Sequence, residues 1–217
     1  MNVNQLAAQL GDACYGFLAL NFLWGLYCVI LLWRRIIQLR FRTEKEQVEF
    51  LEQLQGHLRG SDFDAAQQLC AANPRALPQL AMLVISNRGM AYEELRGMVA
   101  ELLQRDVLAA LEYKLGWIAT VIKSGPLLGL FGTVLGMMAA FGRIGTGEKV
   151  QPSQIAGEIS VALICTAMGL ATAIPFSYIL ASLNIRVRAL QESLSSGLTR
   201  FLEYFNKHVS SRQPKKK

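Results

Sequence analysis

Two histidines and four cysteines are all that the 217-residue chain offers as imidazole or thiolate ligands. Cys14, Cys28, Cys70 and Cys165 show neither CxxC nor CxxH spacing, and His57 and His208 lie far apart. No metal site or cofactor is therefore expected. Charge is scarce as well, at 18% of residues against 52% hydrophobic. It is absent altogether from residues 13–33, 124–142 and 159–185. Those absences speak against a soluble enzyme, because no nucleophile, base or metal cluster remains to do chemistry. A bilayer core is crossed by about 20 apolar residues, and three such stretches are present.

The uncharged stretches have a second consequence. A proton relay through a membrane needs a titratable group, and no acidic residue falls inside any of the three. If protons cross at this chain, another protein supplies the carboxylate. The lead MNVNQLAAQLGD has no Lys or Arg and carries Asp12, unlike a secretory n-region, so residues 13–33 are expected to stay as an anchor.

The net charge of +6 is concentrated beside the spans. Arg34, Arg35, Arg40 and Arg42 follow the first; Arg186, Arg188, Arg212 and Lys215–Lys217 follow the third. The positive-inside rule then predicts an external N-terminus and a cytoplasmic C-terminus. Juxtamembrane placement accounts for the basic tail without nucleic acid, which is not expected as a partner.

The predicted organisation is all-α. Residues 1–12 form an amphipathic periplasmic lead with Leu6, Ala7 and Leu10 on one side, and 13–33 the first transmembrane helix, closed by Trp33. Residues 34–115 form a cytoplasmic helical region extending the membrane helices. Within it, Val48, Leu51, Leu54 and Leu58 predict a helix over 44–58. Ser61, Asp62 and Asp64 open a short helix that Asn73-Pro74 ends. Residues 77–89 continue as helix. A long helix over 90–115 carries Leu95, Met98, Leu102, Val107 and Leu111 on its apolar side and runs into the second span. That span covers 117–142, with Gly142, Gly145 and Gly147 breaking into a periplasmic loop over 143–157. The third span covers 158–183, with Ser153 as a candidate cap. An amphipathic cytoplasmic helix over 184–209 carries Leu190, Leu194, Leu198, Phe201 and Phe205, and 210–217 are a disordered basic tail.

Spans two and three carry small residues where an anchor would carry Leu. Gly125 and Gly129, then Gly132 and Gly136, are four apart, a spacing that lets helices approach closely. Ala162, Gly169, Ala173 and Ser177 form a similar stripe around Thr166, and Pro175 removes one helix hydrogen bond and is expected to kink the third span. Thr133 and Thr166 fall at similar depth, about 10–14 Å inside their spans. Their hydroxyls either bond to the preceding turn of their own helix or form a polar patch facing a channel or partner helix. Glu158 stands at the external mouth of span three, as a headgroup-level carboxylate or part of an ion entry.

At Gly125–Phe141, GPLLGLFGTVLGMMAAF, and at IAGEISVALICTAMGLATAIP, the chain resembles the second- and third-span signatures of the MotA/TolQ/ExbB proton-channel family. Three spans point to its ExbB/TolQ branch. The resemblance implies a homopentamer in the bacterial inner membrane, its pore lined by spans two and three. The pore would enclose an ExbD/TolR-like single-span partner whose aspartate is protonated and released. TonB- or TolA-like proteins are implied further partners. Thr133 and Thr166 match the family's threonines and would shape the proton path; the glycines and Pro175 match packing positions. Family members often have a glutamate five residues before the span-three threonine, where this chain has Val161. Three other readings stay open: a non-conducting scaffold on the same packing, a small-molecule transporter, for which no inverted repeat is visible, and a soluble helical enzyme.

Overall fold

The computed structural model describes residues 3–60, 62–145 and 151–208, with side chains from Ala13 onward except at 143 and 208. Every regular element described is helical. These are α1 (Val3–Leu39), α2 (Glu44–Arg59), α3 (Phe63–Ala71), α4 (Ala76–Ser86), α5 (Tyr92–Leu102), α6 (Ala109–Gly145) and α7 (Pro152–His208), with a π-helical turn at Leu103–Leu108. Three helices are long and apolar enough to cross a membrane: Ala13–Leu39, Tyr92–Gly142 and Pro152–Lys207. Their uncharged stretches make this a multi-pass membrane protein. The predicted face of Leu6, Ala7 and Leu10, the cap at Ser61, the loop residues Gly147, Glu148 and Lys149, and the tail 210–217 lie outside the described residues or side chains.

The chain divides into two compact units. The first combines residues up to Leu31 with Lys114–Leu183. Here α1 runs antiparallel to α6: Cys14 neighbours Gly132, Asn21 bonds to Val121, and Trp24 meets Trp117 edge-on at 5.8 Å. It runs parallel to α7, since Tyr15 reaches Val161 and Phe22 meets Phe176 at 5.7 Å. Outward faces carry Phe17, Leu20, Leu127, Phe131, Leu163 and Ile174, all exposed. Large apolar side chains on the outside suit a bilayer or a neighbouring helix, not water.

The second unit combines Leu32–Tyr113 with the chain from Asn184. In α2, Glu44 and Glu46 occupy the first turn and His57 and Arg59 the last, matching the helix dipole. Phe50, Leu51, Leu54 and Leu58 are its buried face. The side chain of Asp62 caps α3 by accepting from Ala65 N at 3.1 Å. Pro78 sits in the first turn of α4, where its missing N–H has no helical partner to lose. The end of α7 lies alongside α2 through a paired contact: Gln47 Nε2 donates to Ser193 O and Ser193 Oγ to Gln47 Oε1. The predicted stripe Leu190, Leu194, Leu198, Phe201 and Phe205 is buried.

Several local expectations are corrected. The segment predicted at 77–89 is a helix over Ala76–Ser86, closed by Asn87, whose Nδ2 donates to Leu83 O. The helix predicted from 90 begins at Tyr92, and its buried side is Leu95, Val99, Leu103, Leu108 and Leu111. The predicted Met98, Leu102 and Val107 are only half-buried. Leu95, Val99 and Leu103 follow each other at four-residue steps, and the wider winding of the π turn brings the five-residue step from Leu103 to Leu108 back onto the same face. Gly142 does not break α6, which continues to Gly145. Ser153 is not a cap, because Pro152 opens α7, a position that suits its fixed φ. Pro126 in α6 and Pro175 in α7, of which only Pro175 is expected to kink its helix, both lie inside uninterrupted helices, which is compatible with a bend.

Candidate functional site

Glycine brings α6 and α7 together. A Cβ built on Gly129 would stand 2.7 Å from the Cys165 carbonyl oxygen and 2.9 Å from Thr166 Cα. On Gly169 it would meet the Gly125 carbonyl oxygen at 2.5 Å, and on Gly136 the Cβ of Ala162 at 2.5 Å. The facing pairs Gly125–Gly169, Gly129–Cys165 and Gly136–Ala162 therefore run antiparallel, backbone against backbone. Gly132 packs against the Cys165 side chain. Helices this close gain dispersion contacts that lipid cannot replace.

That approach places Thr133 beside Thr166. Thr133 is 4% exposed, and its Oγ1 donates to Leu130 O at 2.7 Å. Thr166 Oγ1 lies 3.5 Å from Thr133 Oγ1 and donates to it at the outer limit of a hydrogen bond. Thr166 is half-buried, and among the described residues its hydroxyl makes only this long, weak contact with Thr133. A carboxylate arriving there would find a donor that gives up little to turn toward it.

The other predicted residues divide into two groups. Ala162 and Ala173 are buried with Gly169 on the inward face of α7. Ser177 and Pro175 are exposed, and Ser177 Oγ donates to Ile174 O at 2.6 Å on its own helix. Glu158 is half-buried in the first turns of α7. It stands eight residues, about 12 Å along the axis, from Thr166, so the structure does not bring it to the threonine pair. Val161 is 53% exposed.

Further polar groups of the unit were not singled out from sequence. Asn21 of α1 donates from Nδ2 to Val121 O at 3.2 Å and accepts at Oδ1 from Ser124 Oγ at 2.8 Å. Tyr15 OH donates to Val161 O at 2.7 Å, and Thr172 Oγ1 to Met168 O at 3.0 Å. The available signal was a single Asn within an uncharged stretch that otherwise reads as plain anchor.

A model of the MotA/TolQ/ExbB proton channel family matches residues 75–196, more than half of the chain and all of the α6–α7 site. The Tol-Pal system protein TolQ of Haemophilus influenzae is 32% identical over 107 residues, 49% of this chain and 47% of that protein. The biopolymer transport protein ExbB of Neisseria gonorrhoeae is 31% identical over 122 residues, 56% of this chain and 50% of that protein. The TolQ of Pseudomonas aeruginosa is 45% identical over a shorter stretch of 65 residues, 30% of this chain and 28% of that protein. The matches thus span about half the length of the first two relatives or less. The chain belongs to the MotA/TolQ/ExbB proton channel family, whose members are channel subunits and not catalysts.

Proposed function

We propose that this chain is an inner-membrane subunit of a proton-driven motor of the ExbB–ExbD or TolQ–TolR kind. The observation that carries the reading is the hydroxyl pair Thr133–Thr166, at 3.5 Å within the uncharged stretches 124–142 and 159–185, which hold no carboxylate. Such a site completes itself with a partner's acid. An ExbD/TolR-like transmembrane helix brings an aspartate to it. Charged, the aspartate is drawn to the threonine hydroxyls; protonated, it is neutral and tolerates the apolar surroundings. Each proton crossing 100 mV releases about 2.3 kcal/mol, and alternation between the two states turns that energy into relative motion of the helices. Five copies around the partner helices form the pore. The arginines after spans one and three support a periplasmic N-terminus and a cytoplasmic C-terminus. Gly125, Gly129, Gly132, Gly136, Ala162, Gly169 and Ala173 hold the geometry, and a TonB- or TolA-like protein receives the work.

A non-conducting scaffold is the second reading. It is favoured by the bond from Thr133 to the Leu130 carbonyl, which satisfies that hydroxyl within its own helix. Proton flux into liposomes holding this chain and its single-span partner separates the two. Thr133→Val with Thr166→Val, and separately the partner's Asp→Asn, should each abolish flux while the complex stays assembled. Flux unchanged by the double substitution removes the threonines from the path. A well-formed complex with no flux under an imposed potential supports the scaffold.

A further inference from the structure

Within the second unit, the end of α1, the corner leading into α2 and the link Ala72–Arg75 enclose an open basin of about 1130 Å³, with Arg186 of α7 on its wall. Its lining holds five arginines, Arg35, Arg40, Arg42, Arg75 and Arg186, and no acidic residue. We infer that this basin binds the phosphodiester headgroup of an anionic phospholipid. The inference rests on the apolar helices crossing a bilayer and is independent of proton conduction.

The arginines are not equivalent. Arg75 pairs with Glu46 at 2.7 Å and lies over the Phe41 ring at 4.5 Å, so its charge is spoken for. The same guanidinium holds the Glu46 carboxyl below the usual carboxylate range. Arg186 stacks over Trp33 at 4.3 Å, which fixes the guanidinium plane and leaves its edge donors available. Arg35, Arg40 and Arg42 are exposed, and among the described residues their guanidinium groups pair with no carboxylate. Four like charges converging on one basin repel each other, and a bound anion removes that cost. A phosphodiester oxygen also matches the guanidinium fork.

Position selects lipid over a soluble anion. Arg35 follows the uncharged run 13–33 within two residues, which puts the basin at headgroup depth. Beside the arginines, Trp33 is 39% and Ile37 61% exposed. A free phosphate has no use for that apolar rim; an acyl chain does.

Trp33 is a built-in reporter. The full chain carrying Trp24→Phe and Trp117→Phe is reconstituted in vesicles, and its fluorescence is quenched by brominated phosphatidylglycerol or brominated phosphatidylcholine. The anionic lipid should show an affinity about thirtyfold higher, two arginines near the surface being worth that much together. The preference should approach unity with Arg35→Gln plus Arg40→Gln, and fall about fivefold with Arg35→Gln alone. It should persist with Arg96→Gln plus Arg105→Gln, which remove the same charge elsewhere. Equal quenching by both lipids, or equal loss in the two paired variants, overturns the assignment. So does erasure of the preference by millimolar inorganic phosphate or by an acidic peptide, which would give the basin to a soluble anion or a protein segment.

Discussion

Gly129 and Cys165 meet backbone to backbone, with 2.7 Å between the place a Cβ would take on the glycine and the cysteine carbonyl oxygen. One turn along, Thr133 and Thr166 are at the limit of hydroxyl contact. Gly129→Ala must therefore push α6 from α7 by several tenths of an ångström and break that contact. Overpacking of this kind costs about 1–3 kcal/mol. Gly116→Ala, where a Cβ meets open space, should be neutral or gain up to about 1 kcal/mol in helix propensity. Thermal unfolding in detergent compares them, and equal stability of Gly129→Ala and the parent would sink the close-packing argument.

Much of this arrangement could be read from residue types. Uncharged stretches mark spans because lipid excludes charge, and four-residue glycine spacing marks close approach because only hydrogen leaves the backbone bare. Heptad-like leucines marked the buried face of α2 and the end of α7 for the same periodic reason. Other features depend on partners far away in sequence. Asn21 is one polar residue in an apolar run until Ser124 and Val121 stand opposite it. The π turn at Leu103–Leu108 has no composition of its own; it shows only as the register in which Leu103, Leu108 and Leu111 are buried together. Ser177 matched the small-residue spacing yet lies outward, because spacing places residues on a face without saying which neighbour covers it.

Asn21 ties α1 to α6 at two atoms, so Asn21→Leu removes both bonds. Hydrogen bonds between membrane helices contribute about 0.5–2 kcal/mol. Ser124→Ala should cost less, since Asn21 Nδ2 still donates to Val121 O at 3.2 Å in that variant. A double-mutant cycle read by denaturant unfolding should show coupling between the two. Strict additivity would mean that the side chains do not interact.

Cys70 is fully buried in the second unit, and burial pushes its thiol from 9.0 up to about 11. The unfolded chain loses this proton first, so between those values the folded state holds more protons and stability falls as pH rises. Cys70→Ala should flatten that part of the stability–pH curve. Maleimide labelling of Cys70 at neutral pH should likewise require opening of α3 and α4 and accelerate with denaturant. Rapid labelling of the native protein, or an unchanged curve in the alanine variant, would contradict the buried thiol.

Glu158 and Val161 test how ions would enter the proposed path. The Val161 carbonyl is held by Tyr15, while its side chain points outward and is exposed. Glu158 lies three residues nearer the start of α7, about 12 Å along the axis from Thr166. At a hydrated mouth one carboxylate is worth about 1 kcal/mol of attraction, or about fivefold in local cation concentration. Glu158→Gln should therefore reduce flux by no more than about that factor, because the charge steers ions without relaying them. Val161→Glu places a carboxylate five residues before Thr166, about 7.5 Å along the axis, on a backbone that Tyr15 still anchors. It should restore the flux lost in Glu158→Gln. Abolition of flux by Glu158→Gln alone would instead make that carboxylate an obligatory stop for the proton, with the entrance beginning at the first turns of α7.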